Sequence, residues 1–336
     1  MDEFTGLFIP LITPFTADGE LAADALERLA NRVLDDGAAG IVALGTTAEA
    51  ATLTEQERSA VLAICSRVCR ERGTRLVAGA GTSDTARSAD ELASLTRFPD
   101  VRAALVVVPY YVRPGEAGVL EHFRALAASS PVPLIIYNIP YRTGQVVSWR
   151  AMAKLADLPG IAGVKHAVGS IDQDTIAMMA GRPARFSVLG GDDPFISPLL
   201  ALGADGGILA SAHVRTSDFA RLVGLWRDGQ AAEATELGHR LAPLSQALFA
   251  EPNPVVIKSV LHRLGEIPSP AVRLPLLPAS PDSADAALRA AAEPSPPALA
   301  GAVAADSHPA ADSHPAADSH TAADSHTSAD SRAAAL

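Results

Sequence analysis

Cysteine is almost missing: 336 residues contain only Cys65 and Cys69. Four positions apart, the two fall one helical turn from each other, where a bridge would close no useful loop. That excludes a disulfide-stapled scaffold and reads as reduced thiols in a cytosolic protein. Charge is sparse, 19% of residues against a usual share of about 25%. No Lys/Arg-rich tract occurs, which argues against nucleic acid or an anionic membrane surface as partner. No apolar stretch approaches the ~20 residues of a membrane span. The N-terminus, MDEFTGLFIPLITPF, carries acids where a signal peptide needs cations, and Pro10 and Pro14 interrupt its apolar run. Lysine is scarce as well: of 27 basic residues only Lys154, Lys165 and Lys258 are lysines.

Core-forming residues, by contrast, are ample. Hydrophobic residues make up 48% of the chain, and the length suits two ordinary domains or one large α/β barrel. The net charge of −11 is unevenly spread, because eight acids and two arginines fall after Pro278. From there the chain is Ala, Ser, Pro, Asp and His, with AADSHP and AADSHT hexapeptides in tandem from Ala304. Such a segment has little apolar surface to offset the entropy of ordering and reads as disordered. Its histidines, His308, His314, His320 and His326, recur every six residues. Six is neither a helical nor a strand period, so a solvated tail outweighs a metal-binding reading.

Before Pro278, short apolar runs alternate with alanine- and leucine-rich stretches of helical spacing. Strand-like runs fall at Leu7–Thr13, Gly40–Leu44, Arg75–Ala80, Ala103–Val108, Pro133–Tyr137, Ile161–Lys165, Phe186–Leu189 and Gly207–Ala210. Their near-continuous apolarity fits strands covered on both faces of a parallel sheet. This pattern predicts an α/β fold, a (β/α)8 TIM barrel with a C-terminal helical extension and a disordered tail. A doubly wound open sheet is the alternative, although no G-x-G-x-x-G follows the first strand. The expected divisions are a barrel core over 1–215, the last barrel helix and helical extension over 216–278, and the tail over 279–336.

In such a barrel the reacting groups sit at the C-terminal strand ends. Those ends hold Thr46 and Thr47, Tyr110 and Tyr111, Tyr137 and Asn138, Lys165, then Gly190, Gly191 and Asp192. All four tyrosines fall in two of these loops. Lys165 ends the apolar run IAGVK, where desolvation disfavours the ammonium form and frees a nucleophilic amine. Such an amine condenses with a ketone to a Schiff base, an electron sink for carbon–carbon chemistry that needs no metal or organic cofactor. Tyr137, one strand earlier, is placed to shuttle protons. On position alone, a lysine running to solvent and a wet capping tyrosine are the commoner cases. Thr46 and Thr47 equally fit a helix cap, and Arg142 a surface arginine. Their shared placement on one rim raises the functional reading.

The segments IVALGTTAEAATLTEQE, VVVPYYVRP, YNIPYRTG, IAGVKHA, LGGDD and EPNPVVIK resemble, in order, motifs of the dihydrodipicolinate synthase/N-acetylneuraminate lyase family. The resemblance spans about Phe4 to Pro278. It implies a (β/α)8 barrel that assembles as a homotetramer or homodimer and takes small-molecule substrates, pyruvate and an aldehyde acceptor. It implies Lys165 as the Schiff-base lysine, Tyr137 as the proton shuttle, and Thr46 with Tyr111 as the rest of a hydroxyl relay. On that reading Tyr111 borders a dimer interface across which Tyr110 reaches. Thr47 would bind the pyruvate carboxylate, Arg142 the carboxylate of aspartate semialdehyde, and Gly191 and Ile208 would line the pocket with main-chain groups. Arg142 favours the synthase branch over the lyases. A sugar-acid aldolase or dehydratase of the same family, and a catalytically silent 2-oxo-acid-binding scaffold, remain alternatives.

Four positions depart from the family pattern. Ala48 stands where glycine is usual, which predicts strain if the backbone there is left-handed. His166 stands where an acid is usual, and strand alternation from Lys165 turns it away from the mouth. Leu209 and His213 stand where the synthases commonly have serine and asparagine, with His213 near enough to touch the pocket. Lysine-inhibited members bind the amino acid with histidines and a glutamate. The matching positions here, Glu55, Arg58 and Arg87, imply no inhibition by L-lysine.

Overall fold

The computed structural model describes residues 4–293. Alternating strands and helices run β1 (Gly6–Pro10), α1 (Ala23–Asp35), β2 (Gly40–Ala43), α2 (Glu55–Arg72), β3 (Arg75–Ala80), α3 (Thr85–Ser94), β4 (Val101–Val107) and α4 (Gly115–Ser129). They continue through β5 (Leu134–Asn138), the short α5 (Pro140–Thr143), α6 (Trp149–Ala156), β6 (Ile161–His166), α7 (Gln173–Gly181), β7 (Ser187–Gly190), α8 (Ile196–Ala201) and β8 (Gly206–Ile208). Strand order is sequential, and β1 pairs with β8 to close a barrel in which all neighbours are parallel. The barrel is the expected architecture, and the open sheet is excluded.

Two apolar layers follow from strand alternation. Phe8, Val42, Val77, Leu105, Ile135 and Leu189 fill the barrel interior. The opposite faces, such as Ile9, Ile41, Val106, Ile136 and Val164, pack beneath the helices. Helix entries are set locally: Thr54 and Glu57 form a reciprocal capping box for α2, and Asp84, Ser148 and Asp172 cap α3, α6 and α7. Cys65 and Cys69 lie buried on α2 as free thiols. Burial pushes both up, Cys69 to about 11.

After β8, α9 (Thr216–Arg227) completes the barrel, and α10 (Ala231–Leu248) and α11 (Val255–Arg263) form the extension. The expected tail boundary at 279 is corrected by a further helix, α12 (Pro281–Ala292), packed on α10 and α11. Composition misleads here because alanine, poor in apolar surface, is the best helix former and lets helices approach closely. Ser280 caps α12, Ala284 and Ala287 are buried, and Arg215 donates to the carbonyls of Ala291 and Glu293 at its far end. The hexapeptide repeats and their histidines lie outside the described residues. Among the described residues, no helix is long and apolar enough to cross a membrane.

Candidate active site

Parallel register brings the two central groups together. Tyr137 on β5 pairs with Lys165 on β6, both directed into the barrel mouth. The Lys165 ammonium nitrogen lies 4.4 Å from the centre of the Tyr137 ring. Both side chains are buried, and the site around them is lined by Thr46, Thr47, Arg142, Gly191, Asp193 and Ile208. Seven of the eight residues singled out from sequence therefore converge.

Close packing explains the glycine after β7. A Cβ on Gly191 would sit 2.7 Å from Lys165 Cε and 2.8 Å from its Cγ. Only glycine leaves room for the lysine to lie along this wall. Burial lowers the Lys165 ammonium to about 8, opposed by the carboxylates of Asp193 and Asp192 and aided by Arg142. Burial likewise raises the Tyr137 phenol, while Arg142 and a hydrogen bond with Thr46 pull it the other way.

Asp193 went unnoticed in the sequence, where its neighbour Asp192 marked the loop. It is buried at the start of the 3-10 turn after β7. Oδ2 accepts from the Ser211 N–H, whereas Oδ1 has no hydrogen-bond partner. Burial raises its carboxyl to about 6 despite that bond and the charge of Lys165. Asp192 instead accepts from the Gly169 N–H and faces the Tyr141 hydroxyl at 3.4 Å. The doubled acid of LGGDD was the available signal.

A second missed group tethers the threonine loop. Asn253, just before α11, donates to Thr47 Oγ1 at 2.9 Å. Glu49, two residues on, is fully buried and pairs with Lys258 of α11 at 2.7 Å. Its other oxygen accepts from the Arg273 N–H at 2.9 Å. Both cations lie over the Phe15 ring, whose centre is 4.0 Å from Lys258 Nζ and 4.3 Å from Arg273 Cζ. The rarity of lysine and the EPNPVVIK segment pointed toward Lys258 without giving it a role.

Tyr111 is the exception among the expected residues. Its backbone is left-handed (φ 66°), its side chain is 89% exposed, and it does not line the site. Tyr110, 41% exposed, borders the chain's own cleft beside Thr46, Tyr137 and Arg142. That cleft, about 570 Å3, runs on to Arg58 and Glu91. Arg58 faces Glu91 at 3.8 Å and Glu55 at 3.9 Å, and Arg87 is exposed on α3.

The departures resolve as follows. Ala48 carries no left-handed backbone, and its carbonyl accepts from Thr13 Oγ1; the positive φ angles fall instead on Leu44 and Glu49. Leu209 is buried in the layer beneath the helices. His213 is kept from the pocket: Nε2 accepts from the Ile12 N–H at 3.1 Å, so Nδ1 donates to the Ala210 carbonyl at 2.8 Å. His166 turns outward, as alternation requires.

Fold and rim together define a class, a (β/α)8-barrel enzyme whose mouth holds a buried amine against a phenol. The comparisons narrow it. At 39% identity over 289 residues, the chain resembles the 4-hydroxy-tetrahydrodipicolinate synthase of Methanothrix thermoacetophila, across 85% of this chain and 95% of that protein. To the synthase of Moorella thermoacetica it is 40% identical, across 80% and 91% of the two. Among solved structures, the dihydrodipicolinate synthase of Acinetobacter baumannii complexed with pyruvate superposes with a TM-score of 0.81. Identity there is 32%, over 85% of this chain and 98% of that one. The chain belongs to the dihydrodipicolinate synthetase family, matched over residues 3–293.

Proposed function

We propose that the protein is a 4-hydroxy-tetrahydrodipicolinate synthase, condensing pyruvate with L-aspartate 4-semialdehyde through a Schiff base on Lys165. The supporting observation is the desolvated Lys165 amine, lowered to about 8 and set against the Tyr137 ring. Neutral Lys165 adds to the pyruvate keto carbon, and loss of water from the carbinolamine gives the iminium. Tyr137, beside Thr46 in the same mouth, passes the protons this requires. The Thr47 loop holds the pyruvate carboxylate. Loss of a C3 proton gives the enamine, which forms the new carbon–carbon bond at the aldehyde carbon of the semialdehyde. Arg142 holds that substrate's carboxylate. Its amine then attacks the iminium carbon, closing the ring as the bond to Lys165 Nζ breaks.

Tyr111 points away from its own mouth, so it serves this relay only in the site of a second copy, within a homodimer or homotetramer. The reduced cysteines suit a cytoplasmic enzyme. Arg142 favours the semialdehyde over a sugar acid, because a carboxylate acceptor needs a fixed cation at this place. Turnover with aspartate semialdehyde and none with 2-keto-3-deoxy sugar acids is the expected result. The reverse preference assigns the chain to a sugar-acid aldolase.

A further inference from the structure

Asn253, two residues before α11, borders both the small site around Lys165 and the larger cleft that opens from it. It shares that double position with Thr46, Tyr137 and Arg142. Backbone bonds on either side fix it there: the Val255 N–H donates to the Pro252 carbonyl at 3.0 Å, and the Lys258 N–H to the Pro254 carbonyl at 2.9 Å. The first turn of α11 thus presents two polar groups to one loop. Lys258 holds Glu49, and Asn253 holds Thr47.

The direction of the second bond decides what Thr47 can offer. Asn253 Nδ2 donates and Thr47 Oγ1 accepts, at 2.9 Å. A hydroxyl that accepts in this way keeps its own proton for another partner. Threonine in a helical turn ordinarily gives that proton to a carbonyl three or four residues back. Two nearby threonines do spend theirs on the backbone of this loop. Thr13 donates to the Ala48 carbonyl at 2.7 Å, and Thr52 to the Glu49 carbonyl at 2.9 Å. Among the described residues, no protein acceptor takes the Thr47 proton. Thr47 is buried against the mouth, which it lines together with Lys165 and Arg142. In a space bordered by two cations, the acceptor left for this proton is an anionic ligand.

We propose that Asn253 is a positioning residue for the first substrate: by donating to Thr47 Oγ1 it turns the Thr47 hydroxyl proton onto the pyruvate carboxylate. It thereby sets how readily pyruvate is captured before Lys165 attacks. This rests on the Schiff-base reading of the site, and adds to it a residue 206 positions away in the chain.

Asn253→Asp is the decisive variant. A carboxylate of the same shape only accepts, so the bond to Thr47 survives with its direction reversed and the hydroxyl proton is drawn off the substrate. Pyruvate binds and reacts before the aldehyde enters, so the two kcat/KM values separate the effects. Both Asn253→Asp and Asn253→Ala should lower kcat/KM for pyruvate about tenfold, while that for aspartate semialdehyde holds within about twofold. The thermal midpoint of Asn253→Asp should match the parent. In a Thr47→Val chain, Asn253→Ala should cost nothing further, because it acts through that hydroxyl. An unchanged kcat/KM for pyruvate in Asn253→Asp, an equal fall for both substrates, or effects of Asn253→Ala and Thr47→Val that multiply overturn the proposal. If Thr47→Val does not fold, the split between substrates still decides. A parent chain that yields no borohydride-trapped pyruvate adduct overturns the reading of the site and this role with it; failure confined to the Asn253 variants leaves that reading standing.

Discussion

At the scale of single residues, the site works by setting one amine against its surroundings. Burial holds the Lys165 ammonium down to about 8, and the carboxylates of Asp193 and Asp192 limit the shift. Removing the Asp193 charge weakens that limit, so the amine becomes neutral at lower pH. Asp193→Asn is therefore expected to move the rising limb of the rate–pH profile for pyruvate Schiff-base formation toward acid, by about one pH unit. A limb that stays in place or moves toward alkali contradicts this role. Lys165 and Tyr137 were legible from sequence because a rare residue type ended a buried strand one step from a tyrosine. Asp193 was not, because its importance lies in an unpaired oxygen that only the folded loop reveals. Tyr111 and Tyr110 were readable as a pair, but the left-handed backbone at Tyr111 is a property of the folded turn.

Among elements, the C-terminal extension is tied into the mouth. Asn253 bonds Thr47, and Lys258 neutralises Glu49 in the same loop. Lys258→Met would leave the Glu49 carboxylate buried beside a single remaining N–H donor, at a cost of about 3–5 kcal/mol. Denaturant unfolding should show this loss together with a fall in kcat, since Thr46 and Thr47 sit on the loosened loop. Pairing Lys258→Met with Glu49→Leu should restore much of the stability, because the buried charge has gone. A Lys258→Met chain as stable as the parent contradicts the tether. The strands and long helices could be read directly from apolar runs and helical spacing. Helix α12 could not, since its stability comes from a Ser280 cap and small residues against α10 rather than from apolar content.

For the whole molecule, the exposed Tyr111 predicts that one chain completes another's site. Lys165→Ala and Tyr111→Phe chains should each be nearly inactive alone, and unfolding and refolding them together should recover activity in mixed assemblies. Mixtures as inactive as their components contradict sharing. Arg58, already engaged by Glu91 and Glu55, and the exposed Arg87 are poor receptors for an amino-acid cation. Millimolar L-lysine should leave the rate unchanged, and half-maximal inhibition below that level contradicts the reading. All of this presupposes covalent chemistry at one nitrogen. Borohydride reduction in the presence of pyruvate, followed by peptide mass mapping, tests it most directly. The account predicts a single reduced pyruvate adduct on Lys165, absent in Lys165→Ala; an unmodified Lys165, or an adduct on Lys154 or Lys258 instead, would contradict it.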